Sequence, residues 1–209
     1  MAQFYHAITT EKSWEFLQGM KRNYNFVLIG GWAVFLYSHS LKSKDIDIII
    51  DYQELGKLKG EYDIAKNERL KKYELKKGEF DIDIYLPHYS DLGIDIEKIR
   101  KSAVLQEGFF VPELEIIFLM KLYAWNNRRG STKGQKDELD IFSLAILPEF
   151  DWKKYLGFVE NFSFQKYHQE FINLLKKTKE IKELNINQQK MSRIKKSIFE
   201  SIHPPARKG

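Results

Sequence analysis

The 209-residue chain contains no cysteine, which excludes disulfide bonds and metal sites built on thiolates. Its five histidines lack the spacing of a metal site, and only His39 and His88 lie close to acidic segments, so no zinc site is predicted. No window of about 18 uninterrupted apolar residues exists, and the N-terminus lacks the basic start and apolar core of a secretory signal. These absences predict a cytoplasmic protein without a membrane partner.

Both standard phosphate-binding loops are also missing: there is no GxxxxGKS or GxxxxGKT sequence, and Gly30-Gly31-Trp32 does not complete GxGxxG. Glycine lets a phosphate approach the main chain, and amides at a helix N-terminus favour an anion. The Gly-Gly turn is therefore either a phosphate site or only a tight junction. Around it the sequence predicts a strand at 26–29, a helix at about 32–38, a basic loop at 38–44 and a second strand at 45–50.

Two acidic segments alternate with apolar residues. Side chains of a strand alternate between its faces, so Asp45 and Asp47 share one face and the isoleucines after them share the other. Neighbouring carboxylates repel each other, and a divalent cation would remove that cost. A later strand, predicted at 79–86, carries Asp81 and Asp83 in the same arrangement. One of these two is a candidate to complete a metal site with Asp45 and Asp47.

This order of elements resembles the nucleotidyltransferase fold of the DNA polymerase β superfamily. In that family a Gly-Gly or Gly-Ser turn is followed, at roughly this spacing, by an acidic-apolar-acidic strand, and a third carboxylate lies on a later strand. The resemblance implies that Asp45, Asp47 and Asp83 are metal ligands and catalytic residues. Asp81 is the alternative third carboxylate.

The same resemblance implies that Gly30 and Gly31 cradle the phosphates of a bound nucleotide. Relatives often carry serine in the second glycine position, where its hydroxyl is expected to touch the triphosphate. Because this chain has Gly31, that contact must come from the main chain or from a serine of the basic loop. Ser43 and Lys44, at the end of that loop, are the candidate nucleotide-binding residues.

The implied activity is transfer of a nucleoside monophosphate from a nucleoside triphosphate to an acceptor hydroxyl, with release of pyrophosphate. Two Mg²⁺ ions about 3.5–4 Å apart, or Mn²⁺ in their place, would activate the hydroxyl and stabilise the leaving oxygen. Asp45 and Asp47 would bridge the ions. Asp83 would bind the ion nearest the acceptor and help to deprotonate the hydroxyl.

The second half of the chain carries another resemblance, to the stand-alone and abortive-infection-type nucleotidyltransferases. It implies that Lys121 and Asp140 bind the nucleotide. The alternative is structural: Lys121 would pair with a carboxylate, and Asp137 and Asp140 would lock two helices together through Arg128 or Arg129. The positions that carry the resemblance are Lys121, Ala124, Arg128, Lys136, Asp137, Asp140 and Ile141.

The fold class predicted from these patterns is α/β (α+β). A small mixed sheet with flanking helices, the nucleotidyltransferase core, is expected over residues 1–110, followed by a helical domain over 111–209. The helical domain is expected to begin with a long helix at 113–129, with Pro112 in its first turn. A flexible basic loop is expected at 130–134.

Positive charge is concentrated near the C-terminus. From Gln165 to Gly209 there are eleven Lys or Arg and four Glu, a net charge of +7, so the rest of the chain carries −2 of the total of +5. This basic segment predicts RNA as the acceptor, although a solvated lysine-rich helix face would look the same. Its last residues, 203–209, are expected to be disordered.

Other acceptors stay open, namely a protein hydroxyl or a small molecule such as an aminoglycoside, as in antibiotic-type nucleotidyltransferases. A toxin with an antitoxin partner would fit the small architecture. The alternative to an enzyme is a non-catalytic nucleic-acid or protein-binding module on the same fold.

Overall fold

The structure, a computed structural model, describes residues 7–203. Disorder was expected for residues 203–209. Of these, the residues after His203 lie outside the described range. The helices are α1 (Ala7–Asn23), α2 (Gly30–Ser38), α3 (Tyr52–Glu61), α4 (Ile96–Lys101), α5 (Leu114–Asn127), α6 (Thr132–Ala145), α7 (Trp152–Asn161), α8 (Gln165–Lys177) and α9 (Gln188–Ile202), with a short 3₁₀ turn at Lys182–Leu184.

The strands form one mixed sheet and one hairpin. They are β1 (Val27–Ile29), β2 (Ile46–Ile49), β3 (Ala65–Asn67), β4 (Lys72–Lys76), β5 (Asp81–Tyr85), β6 (Ala103–Gln106) and β7 (Phe109–Pro112). The sheet has the order β1-β2-β5-β4-β3, in which only the β2–β5 pair is parallel. Strands β6 and β7 pair with each other. This confirms the predicted α+β class with a small mixed sheet and flanking helices.

Apolar alternation explains why the central strands lie in the core. Ile46, Ile48, Ile82 and Ile84 have no exposed surface, whereas the aspartates between them are only partly buried or exposed. The helix after β1 begins at Gly30, two residues earlier than predicted, so both glycines belong to the first turn of α2. The helix packs on α1, where the Trp32 indole donates a hydrogen bond of 2.9 Å to Ser13.

The charged stretch after β2, which has no clear periodicity, folds as α3 followed by the β3–β4 hairpin. Asp51 caps α3 by accepting a hydrogen bond from the Glu54 amide. Strand β3 lies at the edge of the sheet and exposes Ala65 and Lys66. An edge strand with so little apolar surface gives almost no pattern to recognise in the sequence.

Two boundaries in the second half differ from the predictions. Pro112 is the last residue of β7 and does not lie in the first turn of α5, because it still pairs with Ala103 of β6. The predicted loop at 130–134 is shorter, because Ser131 accepts a hydrogen bond from the Gly134 amide and starts α6 at Thr132.

The chain divides into two compact units, residues up to Ile117 and residues from Phe118 onward. The first contains the mixed sheet. The second is helical, and its core is an aromatic cluster in which Phe118 makes edge contacts with Phe150, Tyr155 and Phe171. Within residues 7–203, no helix is both long and apolar enough to cross a membrane.

Candidate active site

A row of residues crosses four strands of the mixed sheet at one level. Register pairs Ile29 of β1 with Asp47 of β2, Asp47 with Asp83 of β5, and Asp83 with Glu74 of β4. Directly paired residues point to the same face of a sheet. The carboxylates of Asp47, Asp83 and Glu74 therefore lie side by side on one face, and we call these three residues the acidic row.

Gly30 makes room for the first member of the row. Its φ angle is +67°, a conformation that residues with a side chain rarely adopt, and a Cβ atom placed there would overlap the Asp47 carboxylate. The Gly-Gly turn is thus in direct contact with the acidic row. Gly31 follows as a buried residue of α2, whose N-terminus has no side-chain cap.

Asp45 and Asp81 meet at the start of the two parallel strands. The Asp81 amide donates a hydrogen bond of 3.2 Å to Oδ1 of Asp45. The Asp81 side chain is exposed, whereas Asp83 pairs directly with Asp47. Of the two alternatives for a third carboxylate, the register therefore brings Asp83 beside Asp47.

Two side chains beside the row, Tyr85 and Lys72, and one member of it, Glu74, were not anticipated from the sequence. The Tyr85 hydroxyl donates to Oδ1 of Asp47 at 3.3 Å. The Lys72 ammonium lies 2.6 Å from Oδ2 of Asp83 and 2.9 Å from Oε1 of Glu74. Lys72 and Glu74 come from the charged stretch that lacks periodicity, so only the pairing of β4 with β5 reveals them.

Burial and neighbouring charge shift the protonation of this group. Burial, followed by repulsion from Asp47, raises the pKa of Asp83 to about 6, and the hydrogen bond from Lys72 only partly offsets this. For Lys72, burial lowers the pKa, but the hydrogen bonds to Asp83 and Glu74 outweigh it, so the pKa rises. The pKa of Glu74 is lowered, mainly by its hydrogen bond from Lys72.

A metal ion bound by protein side chains needs acidic or imidazole groups close together. Among residues 7–203, no three or more such side chains are gathered in a way that could hold a metal ion. Asp83 is engaged by Lys72, but Asp45 and Asp47 have no ion-pair partner within the same range. Their oxygens are the hard ligands that Mg²⁺ prefers, so this pair fits a divalent cation.

The remaining candidates of the first unit have other contacts. The Ser43 hydroxyl is buried and donates to the main-chain oxygen of Asp45 at 3.0 Å, so it fixes the entry to β2. Lys44, next to it, is half-buried. His39 lies 3.1 Å from Glu107 on the β6–β7 turn and His88 is exposed. In the part of the chain that the structure describes, neither joins a group of acidic side chains that could hold a metal ion.

In the second unit, Lys121 and Asp140 form part of a buried ion cluster between α5 and α6. Nζ of Lys121 lies 2.6 Å from Oδ2 of Asp140 and 3.3 Å from Oδ1 of Asp137. Lys136 lies 3.3 Å from Asp140, and Arg128 contacts Asp137 at 2.8 Å. The contacts are those of the structural alternative, in which the two aspartates tie the helices together.

Within this cluster, neighbouring opposite charges stabilise the ionised forms of Lys121 and Asp137. Burial lowers the pKa of Lys121, but attraction to Asp140 and then Asp137 outweighs it, and the pKa is raised. Burial raises the pKa of Asp137, but the charge of Lys121 and the hydrogen bond from Arg128 outweigh it, and the pKa is lowered. Burial lowers the pKa of Lys136, which has the weaker contact with Asp140.

The sequence matches a known protein family. The family described as nucleotidyltransferase of unknown function (DUF6036) matches residues 7–193. The chain belongs to this family. As a nucleotidyltransferase, it takes a nucleotide as substrate, and the predicted identification as a nucleotidyltransferase is confirmed.

Solved structures share the nucleotidyltransferase fold at low sequence identity. The structure of ANT(2'')-Ia in complex with adenylyl-2''-tobramycin is 15% identical, with a TM-score of 0.55 over 77% of this chain and 99% of that chain. JHP933 from Helicobacter pylori is 15% identical, with a TM-score of 0.50 over 95% of each chain. A comparison with curated proteins finds no match. At this identity the likenesses show the fold alone.

Proposed function

We propose that this nucleotidyltransferase moves a nucleoside monophosphate from a nucleoside triphosphate to an acceptor hydroxyl and releases pyrophosphate, using a divalent cation at Asp45 and Asp47. The observation that carries the proposal is the register of Asp47 with Asp83, directly beside the Gly30 turn. It brings together carboxylates that fit a divalent cation, a further carboxylate and a helix N-terminus without a side-chain cap. Mg²⁺ or Mn²⁺ bound there would supply Lewis-acid stabilisation of the phosphate charge.

The protein's own groups have separate tasks in this reaction. Gly30 and Gly31 let the triphosphate approach the main chain at the start of α2, where the amides favour an anion. Asp83 accepts the proton of the acceptor hydroxyl. Its pKa of about 6 leaves it ionised at neutral pH and more basic than an ordinary aspartate, which suits a general base.

RNA is the acceptor that the charge distribution favours. Exposed basic residues follow one another through α8, the 3₁₀ turn and α9, and a surface of this kind attracts a phosphate backbone. The exposed residues are Lys166, Lys176, Lys177, Lys179, Lys182, Lys190, Arg193 and Lys196. An antitoxin partner and a cytoplasmic location stay predictions.

The test is incubation of the protein with Mg²⁺ and each α-labelled nucleoside triphosphate, with total RNA, with an aminoglycoside and with neither. We expect label on RNA and its loss, by about 10²-fold or more, in Asp47→Asn. The matched control is Asp63→Asn, because Asp63 is exposed and outside the site. Equal labelling by both variants would contradict the site, whereas label on the aminoglycoside or on the protein itself would replace RNA as acceptor.

A further inference from the structure

Lys72 is a protein cation that sits against one of the candidate catalytic carboxylates. Its ammonium lies between Asp83, at 2.6 Å, and Glu74, at 2.9 Å. Its side chain is 11% exposed, so solvent screens these contacts less than it would on an open surface. This end of the acidic row therefore already contains a positive charge.

The two ends of the site differ in whether a protein cation contacts the carboxylates. Within residues 7–203, Asp45 and Asp47 have no ion-pair partner, and the polar groups that contact their carboxylates are a main-chain amide and the Tyr85 hydroxyl. Asp83 has a short ion pair through Oδ2. The first pair thus lacks a cation, while Asp83 already has one in contact, which it shares with Glu74.

A second metal ion at Asp83 would have to share that carboxylate with the ammonium. Like charges a few ångström apart in a partly buried site repel strongly. Lys72 is also restrained from moving away, because Glu74, two residues along β4 and hence on the same face, holds the ammonium as well. Asn67 in turn donates to Glu74 at 3.1 Å and fixes its orientation.

We infer that the site binds one divalent cation, at Asp45 and Asp47, and that the Lys72 ammonium neutralises Asp83 in place of a second ion. The inference rests on the proposed function, because it presupposes that a metal ion binds at Asp47. It departs from the pair of ions predicted from the sequence. Lys72 is in this view a positioning residue that keeps Asp83 ionised and free of metal.

The test counts Mn²⁺ ions directly. Crystals of the full chain grown with Mn²⁺ and a non-hydrolysable nucleoside triphosphate analogue are examined for anomalous peaks, and the same mixture is examined by electron paramagnetic resonance. Two Mn²⁺ ions about 3.5–4 Å apart would couple magnetically. We expect one peak, at Asp45 and Asp47, and an uncoupled spectrum.

Variants separate Lys72 from its surroundings. Lys72→Met should raise the number of ions from one to two and give a coupled spectrum, whereas Lys72→Arg should retain one. Lys66→Met is the matched control, because Lys66 lies on the neighbouring strand and pairs with the exposed Glu68. It should leave the count at one. If Lys72→Met fails to fold, Asp83→Asn tests the inference instead. This variant should bind as many Mn²⁺ ions as the unaltered protein.

The outcomes distinguish the inference from the proposed function. Two coupled ions in the unaltered protein, one of them lost in Asp83→Asn, would overturn the inference and leave the proposed function intact. An ion count of zero, unchanged in Asp47→Asn, would overturn both. One ion that is lost in Asp47→Asn and kept in Asp83→Asn supports both.

Discussion

Gly30 and Asp47 are packed so closely that the Asp47 carboxylate occupies the space in which a side chain at residue 30 would begin. Residues 30 and 47 come together because Ile29 and Asp47 are register partners in β1 and β2. The contact links the Gly-Gly turn to the acidic row. It makes the absence of a side chain at residue 30 a condition for the geometry of the site.

Gly30→Ala should therefore damage both stability and activity. The positive φ alone costs about 1–2 kcal/mol for a residue with a side chain, and the new methyl group must also displace the carboxylate. We expect the free energy of unfolding to fall by at least that amount and the transfer rate to fall by about 10-fold or more. Denaturant titration and the labelling assay measure the two effects.

The control for this substitution is Gly56→Ala. Gly56 lies within α3 and a Cβ atom there would meet nothing within 4 Å. Alanine is the better helix former by about 0.5–1 kcal/mol, so the control should be slightly stabilised and fully active. Normal activity of Gly30→Ala would show that the contact with Asp47 does not constrain the site.

Tyr85→Phe should reduce activity without unfolding the protein. It removes the hydroxyl that donates to Asp47 and leaves the ring in place. A net loss of about 0.5–1.5 kcal/mol corresponds to a rate about 3- to 10-fold lower. Tyr52→Phe is the matched control, because its hydroxyl donates to the main-chain oxygen of Pro87. An equal loss in both variants would argue against a specific role for Tyr85.

The two lysines of the buried ion cluster should differ in their importance for stability. Lys121→Met leaves Asp140 without its 2.6 Å partner and weakens the neutralisation of Asp137, and breaking such a buried pair costs about 3–5 kcal/mol. Lys136→Met should cost less, because Asp140 keeps Lys121 and burial already disfavours the charge on Lys136. Denaturant unfolding of both variants measures the difference, and equal costs would contradict this account.

Stability should decrease as pH falls below about 7, in part through His168. Burial, and then the charge of His203, lowers the pKa of His168 below its ordinary value of 6.5, while its Nδ1 lies 3.0 Å from the Tyr155 hydroxyl. The unfolded chain therefore binds a proton more readily than the folded protein, so stability rises with pH through this range. The loss begins near 6.5 on acidification and ends below the folded pKa.

The check is thermal unfolding of the unaltered protein and of His168→Gln between pH 5 and pH 8. Glutamine keeps a polar partner for Tyr155 but does not titrate. The variant should show a smaller loss of stability on acidification. Parallel curves for the two proteins would remove His168 from the explanation.

The local alternation of the acidic strands was predictable from the sequence. A strand has a period of two, so Asp45-Ile46-Asp47-Ile48 assigns the isoleucines to the core from neighbouring residues alone. The glycine turn and the helix after it are equally local. These patterns were sufficient for the fold class and for the family, both of which are confirmed.

Some contacts depend on residues that are distant in sequence and follow no pattern. The hairpin of β3 and β4 has few apolar positions, so nothing in the sequence indicated that Lys72 and Glu74 would lie beside Asp83. The same holds for Lys121, whose position in a mostly apolar helix is compatible with a ligand contact or an ion pair. Only the packing of α6 supplies Asp137 and Asp140 as its partners.

The sequence by itself thus determined the two acidic strands, the glycine turn and the nucleotidyltransferase family, because each depends on residues that are neighbours along the chain. The tertiary structure alone decided which charges meet. The β2–β5 register selected Asp83 as the neighbour of Asp47, and the β4–β5 pairing brought Lys72 to Asp83. Pairing between distant strands is set by the burial of the whole sheet, and a local pattern does not contain it.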